Sequence, residues 1–210
     1  MSTRLVVIRH GETEWNRASR VQGHGDSPLT AEGLAQARAV GKRLASESFD
    51  HLLSSDLGRA LQTAETIAEF TGHPVKSDAR LRERCYGVAE GLTRDEMAER
   101  HPGLHPMLWH ANPDHPVPGG ETRRAFHERV GRAFEALAIE YAGARVLIVC
   151  HGGVLANLYR HATGVGLGET GPIPIPNAGY NALFRLDSGW QVEVWADTAH
   201  LPAGAVPVAR

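Results

Sequence analysis

Apolar positions along the chain fall into two alternating patterns. Residues 5–8 (Leu-Val-Val-Ile) form a short, β-branched, wholly apolar run, which predicts a buried strand. Residues 49–53 are a second candidate strand, and Arg145–Cys150 (Arg-Val-Leu-Ile-Val-Cys) is the clearest. Helical spacing intervenes. Leu34, Ala37, Gly41 and Leu44 share one face behind Thr30, a candidate N-cap. Ala60, Ala64, Ile67 and Ala68 mark a second helix, entered through Ser54-Ser55-Asp56, and Phe126, Val130, Phe134 and Leu137 mark a third. Thr93-Arg94-Asp95-Glu96 has the form of a capping box and starts a short helix that stops before Pro102. Strand alternating with helix predicts an α/β fold around a mostly parallel sheet. The tail departs from this: Tyr180–Leu186 and residues 191–195 flank Asp187-Ser188-Gly189, a hairpin signal. Without a repeat or a linker, residues 1–210 read as a single domain. It carries an irregular Pro/His-rich excursion over 101–120 and a second irregular segment over 164–176.

Composition narrows the function classes. A length of 210 residues is ample for a buried core, and a net charge of −2 gives no basic stripe for nucleic acid. Met1-Ser2-Thr3-Arg4 is followed by too short an apolar run for a signal-peptide core, and no stretch nears the ~20 apolar residues of a membrane helix. Cys85 and Cys150 stand at no metal-type spacing and form no disulfide framework, so the expectation is a cytoplasmic protein without a membrane partner. Twelve histidines are unusual, and His101, His105, His110 and His115 crowd one stretch. A metal site is the sharp reading. Pro102, Pro106, Pro113 and Pro116 interrupt any helix that could align those imidazoles, so a polar loop and no metal are expected.

The chemistry should sit where strands end, because ligands of open α/β sheets bind outside the carboxyl ends of the strands. The first strand runs into Arg9-His10-Gly11-Glu12-Thr13, the second into Ser54-Ser55-Asp56-Leu57-Gly58-Arg59, and the clearest into His151-Gly152-Gly153. One edge should therefore gather Arg9, His10, Arg59 and His151, with helix N-termini offering backbone N–H groups to an anion. A small dianion suits such a pocket, and phosphate matches the arginine fork. A neutral imidazole there can take a phosphoryl group covalently, cationic neighbours can stabilise the transferring oxygens, and a carboxylic acid can protonate the leaving alkoxide. Taken singly, each residue has a plainer role: surface ion pairing for the arginines, structural hydrogen bonding for the histidines, tight turns for the glycines. The residues alone leave His10 and His151 both open as nucleophile.

Arg9-His10-Gly11-Glu12-Thr13, with Asn16 following, resembles the Arg-His-Gly signature of the histidine phosphatase superfamily, the phosphoglycerate-mutase-like proteins. Residues 54–64 (Ser-Ser-Asp-Leu-Gly-Arg-Ala-Leu-Gln-Thr-Ala) resemble its second motif, and Leu81-Arg82-Glu83-Arg84 its acid segment. Pro118-Gly119-Gly120-Glu121-Thr122 and Val149-Cys150-His151-Gly152-Gly153 complete a set that spans residues 4 to about 200. The resemblance implies a three-layer α/β/α sandwich around a mainly parallel sheet. It implies that His10 becomes phosphorylated and that Arg9, Arg59 and His151 hold the phosphoryl oxygens, with Asn16, Gln22, Gly23 and Gly152 assisting. It implies that Glu83 is general acid and then base, and that no metal or organic cofactor takes part. The sequence does not fix the oligomeric state and leaves a homodimer open. Two departures stand out: Cys150 replaces a more usual Ser or Thr, and Ala89 replaces a frequent aromatic, which should leave more room for substrate.

Phosphatase and mutase share the first half-reaction and differ in what accepts the phosphoryl group. Only residues 84–117 separate Glu83 from Pro118-Gly119-Gly120, shorter than the site-closing segment of the family's mutases, which favours a phosphomonoester phosphatase. Against it, Glu83-Arg84-Cys85-Tyr86-Gly87 resembles the mutase segment in which the arginine and tyrosine contact a substrate carboxylate. On that alternative 2,3-bisphosphoglycerate serves as primer. A third alternative is a weakly catalytic binding or adaptor member. Met107, Leu108 and Trp109 are candidates either for lining the pocket or for packing the excursion onto the domain, and Arg123-Arg124 for further anion contacts.

Overall fold

The computed structural model describes residues 2–109, 112–169 and 173–202. Six strands form one sheet in the order β3-β2-β4-β1-β5-β6: β1 is Thr3–Arg9, β2 His51–Ser54, β3 Val75–Ser77, β4 Arg145–Cys150, β5 Tyr180–Leu186 and β6 Gly189–Asp197. β1, β2, β3 and β4 run parallel, and β5 and β6 add antiparallel pairs beyond β1. The helices are α1 (Glu14–Arg17), α2 (Ala31–Leu44), α3 (Gly58–Thr71), α4 (Arg94–Arg100), α5 (Leu104–Trp109), α6 (Arg123–Glu140) and α7 (Gly152–Thr163).

Period-two alternation along β1 divides the core. Leu5 and Val7 pack with Val146 and Ile148 of β4 against Val130, Phe134 and Leu137 of α6 and Val154, Leu155 and Leu158 of α7. Val6 and Ile8 pack with Leu147 and Val149 against Val40 and Leu44 of α2 and Ala60, Ala64 and Ile67 of α3. Helices thus cover both faces of the sheet, and the three-layer sandwich is the observed architecture. A third cluster lies apart: Val21, Tyr86, Ala89, Leu92, Met97, Leu104, Leu108 and Val117 form a satellite core under the excursion.

Several sequence expectations hold in detail. Thr30 caps α2 by accepting from the Gly33 N–H, and Thr93 with Glu96 closes a capping box on α4. Others need correction. α3 is entered through Ser54-Ser55-Asp56 as expected, but its N-cap, Leu57, makes no side-chain cap bond, and Asp26, from a distant loop, accepts from the Arg59 N–H at 3.2 Å. β3 had no signal, because a single half-buried Val75 among polar residues on a sheet edge has no period to detect. The excursion is less irregular than its prolines suggest. α5 forms with Pro106 in its first turn, where the missing N–H costs no helical hydrogen bond. Leu108 is fully buried in the satellite core, so it packs the excursion down. Ala89 is buried in the same cluster. The side chains of Met107 and Trp109, and all of His110, lie outside the described residues.

Candidate active site

The sheet brings its three functional turns together because β4 is inserted between β1 and β2. Arg9 stands opposite Cys150, and Ser54 opposite Val149, so the chain leaves all three strands at one edge. Beyond β1 the backbone is pressed against the start of α2: a Cβ on Gly11 would lie 2.4 Å from the Gly33 carbonyl oxygen, so only glycine fits. The Gly11 N–H donates to Thr63 Oγ1 (3.1 Å), whose hydroxyl donates to the Arg59 carbonyl (2.8 Å), which ties this turn to α3. Asn177 Nδ2 donates to the His10 carbonyl at 2.9 Å and lies 3.4 Å from Asn16 Oδ1. Asn16 Oδ1 also accepts from the Thr13 N–H, so the Asn16 side chain is held by its oxygen.

His10 is buried, with Nδ1 at 2.8 Å from the Gly11 carbonyl oxygen. A carbonyl only accepts, so Nδ1 carries the proton and the lone pair sits on Nε2. The His151 ring lies 5.3 Å from that of His10, centroid to centroid. Burial first, then the neighbouring Arg59, His10 and Arg9, pushes the His151 imidazole well below its usual range, so it is neutral at pH 7. Its Nε2 meets Ser55 Oγ at 2.8 Å. Arg9 donates from Nη1 to the Ile175 carbonyl (2.7 Å). Arg59, 1 % exposed, donates to the carbonyls of Gly25 (2.9 Å) and Gly23 (2.8 Å). Burial pulls the Arg59 guanidinium below its usual value against the opposing pull of Glu83 and Asp26, and an arginine so shifted is still a cation. Among the described residues, Arg59 Nε and His151 Nδ1 have no hydrogen-bond partner. Both atoms lie among cationic side chains, a setting in which an anionic oxygen is the natural acceptor.

Glu83 does not lie on the sheet. It follows a 3-10 turn at Ala79–Leu81, and its carboxylate reaches the start of α7: Oε2 accepts from the Gly153 N–H and Oε1 from the Arg84 N–H, both at 2.8 Å. The Glu83 carbonyl accepts from Arg129 Nη2 (3.0 Å) and lies 2.9 Å from His24 Nε2. Between these groups runs the turn of Gln22, Gly23, His24 and Gly25. Glu90 organises it, Oε1 accepting from His24 N–H and Tyr86 N–H and Oε2 from Gly25 N–H.

The strand-end turns bring Arg9, His10, Arg59 and His151 to one edge of the sheet, and Glu83 reaches the start of α7 from its loop; Arg84 and Tyr86 are engaged elsewhere. Arg84 gives three N–H groups to the carbonyls of Glu121 and Leu108, and its guanidinium lies 5.1 Å over the Tyr86 ring. Tyr86 belongs to the satellite core. These two form a wall beside the acid, and the expected carboxylate contact finds no support in their hydrogen bonds. Sequence reading missed Ser55, Thr63, His24, Glu90, Arg129 and Asn177. Ser55 and Thr63 lie inside the second motif, His24 follows Gly23 and Glu90 follows Ala89, while Arg129 and Asn177 stand apart from every recognised motif. Among the described residues no three His, Cys, Asp or Glu side chains gather as metal ligands, and no helix is long and apolar enough to cross a membrane.

Comparison with known proteins follows the same lines. The chain is 38 % identical over 207 residues, 96 % of each chain, to the protein named "Probable phosphoglycerate mutase GpmB" of Salmonella choleraesuis. Bacillus stearothermophilus YhfR superposes with a TM-score of 0.88 at 33 % identity, covering 94 % of this chain and 98 % of that one. A mycobacterial glucosyl-3-phosphoglycerate phosphatase superposes with a TM-score of 0.81 at 29 % identity, covering 94 % and 100 %. Such relatives are enzymes, phosphatases and mutases among them. With the family model matching residues 5–198, over the same strand-end turns that hold His10, Arg59 and His151, the chain belongs to the histidine phosphatase superfamily, branch 1.

Proposed function

We propose that this protein hydrolyses small phosphomonoesters through a phosphohistidine on His10, without a metal. The observation that carries the reading is the His10 ring itself: Nδ1 is tied to the Gly11 carbonyl, which leaves the Nε2 lone pair for phosphorus. Arg9, Arg59 and His151 surround it, with Gly152 opening the N-terminus of α7. In the first step the Nε2–P bond forms as the P–O bond to the alcohol breaks, and the departing oxygen takes a proton from Glu83. In the second, water attacks phosphorus, Glu83 takes its proton, the N–P bond breaks and phosphate leaves. The cationic groups act on the three equatorial oxygens, where transition-state charge collects.

A mutase reading has one observation of its own, the 38 % identity to a protein named as a mutase. The placement of Arg84 on protein carbonyls favours hydrolysis. Phosphate release from a panel of phosphomonoesters, in the presence of a chelator, tests the proposal. Release should persist in chelator, vanish in His10→Ala, and pass through an acid-labile phosphoprotein. Conversion of 3-phosphoglycerate to the 2-isomer with a trace of the 2,3-bisphosphate, while inorganic phosphate stays flat, refutes hydrolysis and establishes the mutase.

A further inference from the structure

Glu83 sits on a loop, yet a proton donor must be held to within about half an ångström to act. What holds it is on α6. Arg129 directs all five of its N–H groups into the acid loop and its partner. Nε and Nη2 form a fork on Glu121 Oε1 (2.8 Å) and Oε2 (2.9 Å). Nη1 donates to the carbonyls of Arg80 (3.2 Å) and Arg82 (3.1 Å), and Nη2 also to the carbonyl of Glu83 (3.0 Å). Glu121 completes the frame from the other side. Its Oε2 accepts from the Cys85 N–H (3.0 Å), its backbone N–H donates to the Cys85 carbonyl (2.8 Å), and its carbonyl receives Arg84. Four backbone groups across residues 80–85 are thus tied to one ion pair. Arg129 also lies 4.9 Å over the Phe126 ring. That ring is 3.0 Å from where a Cβ on Gly153 would be, and Gly153 is the residue whose N–H holds the Glu83 carboxylate.

We infer that the Arg129–Glu121 ion pair is a positioning device for proton transfer: it fixes the Glu83 loop against α7, and its loss uncouples the acid from the leaving group without removing it. The inference rests on the reading of Glu83 as general acid. The hydrogen bonds of Arg129 and Glu121 run to the acid loop and to each other, whereas Arg9, Arg59 and His151 are carried by β1, α3 and the turn after β4, so the phosphoryl pocket should survive their replacement. The geometry also says why arginine is needed: lysine offers three donors from one atom and cannot span a carboxylate fork and three carbonyls at once.

The test uses leaving-group dependence, which a merely structural role would not move. Wild type, Arg129→Lys, Arg129→Met, Glu121→Gln and Glu83→Gln are compared on a series running from nitrophenyl phosphates, whose leaving groups need no proton, to alkyl phosphates, which do. For the Arg129 and Glu121 variants kcat/KM should fall no more than a few-fold on the nitrophenyl ester and about a hundredfold on the alkyl ester, the low end of what general acid catalysis contributes. The plot of log kcat/KM against leaving-group pKa should steepen toward that of Glu83→Gln. A uniform loss across the series, or no loss, in variants that melt as wild type overturns the inference. If Glu83→Gln itself leaves the slope unchanged, the general-acid reading fails and takes the inference with it. If Glu83→Gln steepens the slope and the Arg129 and Glu121 variants do not, the inference alone fails. Should Arg129→Met not fold, Arg129→Lys and Glu121→Gln decide.

Discussion

Replacing Gly153 by alanine should disable proton transfer while leaving the fold intact. A Cβ at this position would lie 2.2 Å from Glu83 Oε1, 2.9 Å from its Cδ and 3.0 Å from Phe126 Cε1. An ordinary carbon–oxygen contact needs over 3 Å, so the carboxylate must retreat by about 1 Å, a displacement that can cost on the order of a hundredfold in rate. The retreat also strains the 2.8 Å bond from the Gly153 N–H to Oε2, which fixes the acid. Stability should move little. Gly153 is not among the glycines with positive φ and stands in the first turn of α7, where alanine gains up to about 1 kcal/mol over glycine, which offsets a modest displacement of the Phe126 ring. The expected result is a kcat for alkyl phosphomonoesters about a hundredfold down, with KM within a few-fold and a melting temperature within a few degrees of wild type. Steady-state kinetics beside a thermal melt reads both. Activity within twofold of wild type would show that the Glu83 carboxylate need not sit against α7, and the assignment of the acid would have to be abandoned.

Two further outcomes follow from buried groups. Glu90→Gln keeps one acceptor oxygen where three backbone N–H groups need two, and turns an amide N–H₂ toward another donor. Stability should fall by about 1–3 kcal/mol, and KM should rise as the Gly23 and Gly25 carbonyls that hold Arg59 loosen; unchanged Tm and KM together would refute it. The folded His151 ring resists protonation well below 6.5, whereas the unfolded one takes a proton near that value. Its contribution is therefore complete above pH 6.5 and is lost as pH falls, at up to about 1.4 kcal/mol per unit. His200, also depressed by burial, adds to the same window, so the quantity to measure is the difference between wild type and His151→Asn in urea melts from pH 5 to 7, and identical slopes would refute the assignment.

What could be read from the sequence, and what could not, divides by the kind of atom involved. Arg9, His10 and His151 are legible because strand ends are legible: residues 5–8 and 146–150 are continuous apolar runs, and the functional residues follow directly, while Arg59 lies in the first turn of the helix after β2. Helix starts at Thr30 and Thr93 were readable for the same local reason. Ser55, Thr63 and Asn177 were not. Each acts through a hydrogen bond to a residue far away in sequence, Ser55 to His151 and Asn177 to the His10 carbonyl, and nothing near it changes the hydrophobic pattern. Ala89 and Tyr86 show a different limit. Both stand beside a recognised motif, and their membership of the satellite core under the excursion could not be read from that motif.

Arg129 is the extreme case. Its neighbours on α6 make it look like one more charge on an exposed helical face, between Phe126 and Val130, which are buried. Three of its five acceptors are backbone carbonyls, which every residue type supplies equally. The side chains at positions 80 and 82 are therefore free to serve other ends, and they do: Arg80 pairs with Asp78 and Glu140, and Arg82 with Asp56. Such a clamp leaves its mark at two positions only, Arg129 and Glu121, while the loop it fixes can vary. An acid carried by a strand would need no clamp, since the sheet ladder would hold it. An acid carried by a loop needs directional bonds to its backbone, and arginine supplies more of them from one side chain than any other residue. The cost of placing the proton donor off the sheet is thus met from a helix on the same layer, and that dependence makes the leaving-group slope of the Arg129 variants, more than their overall rate, the informative quantity.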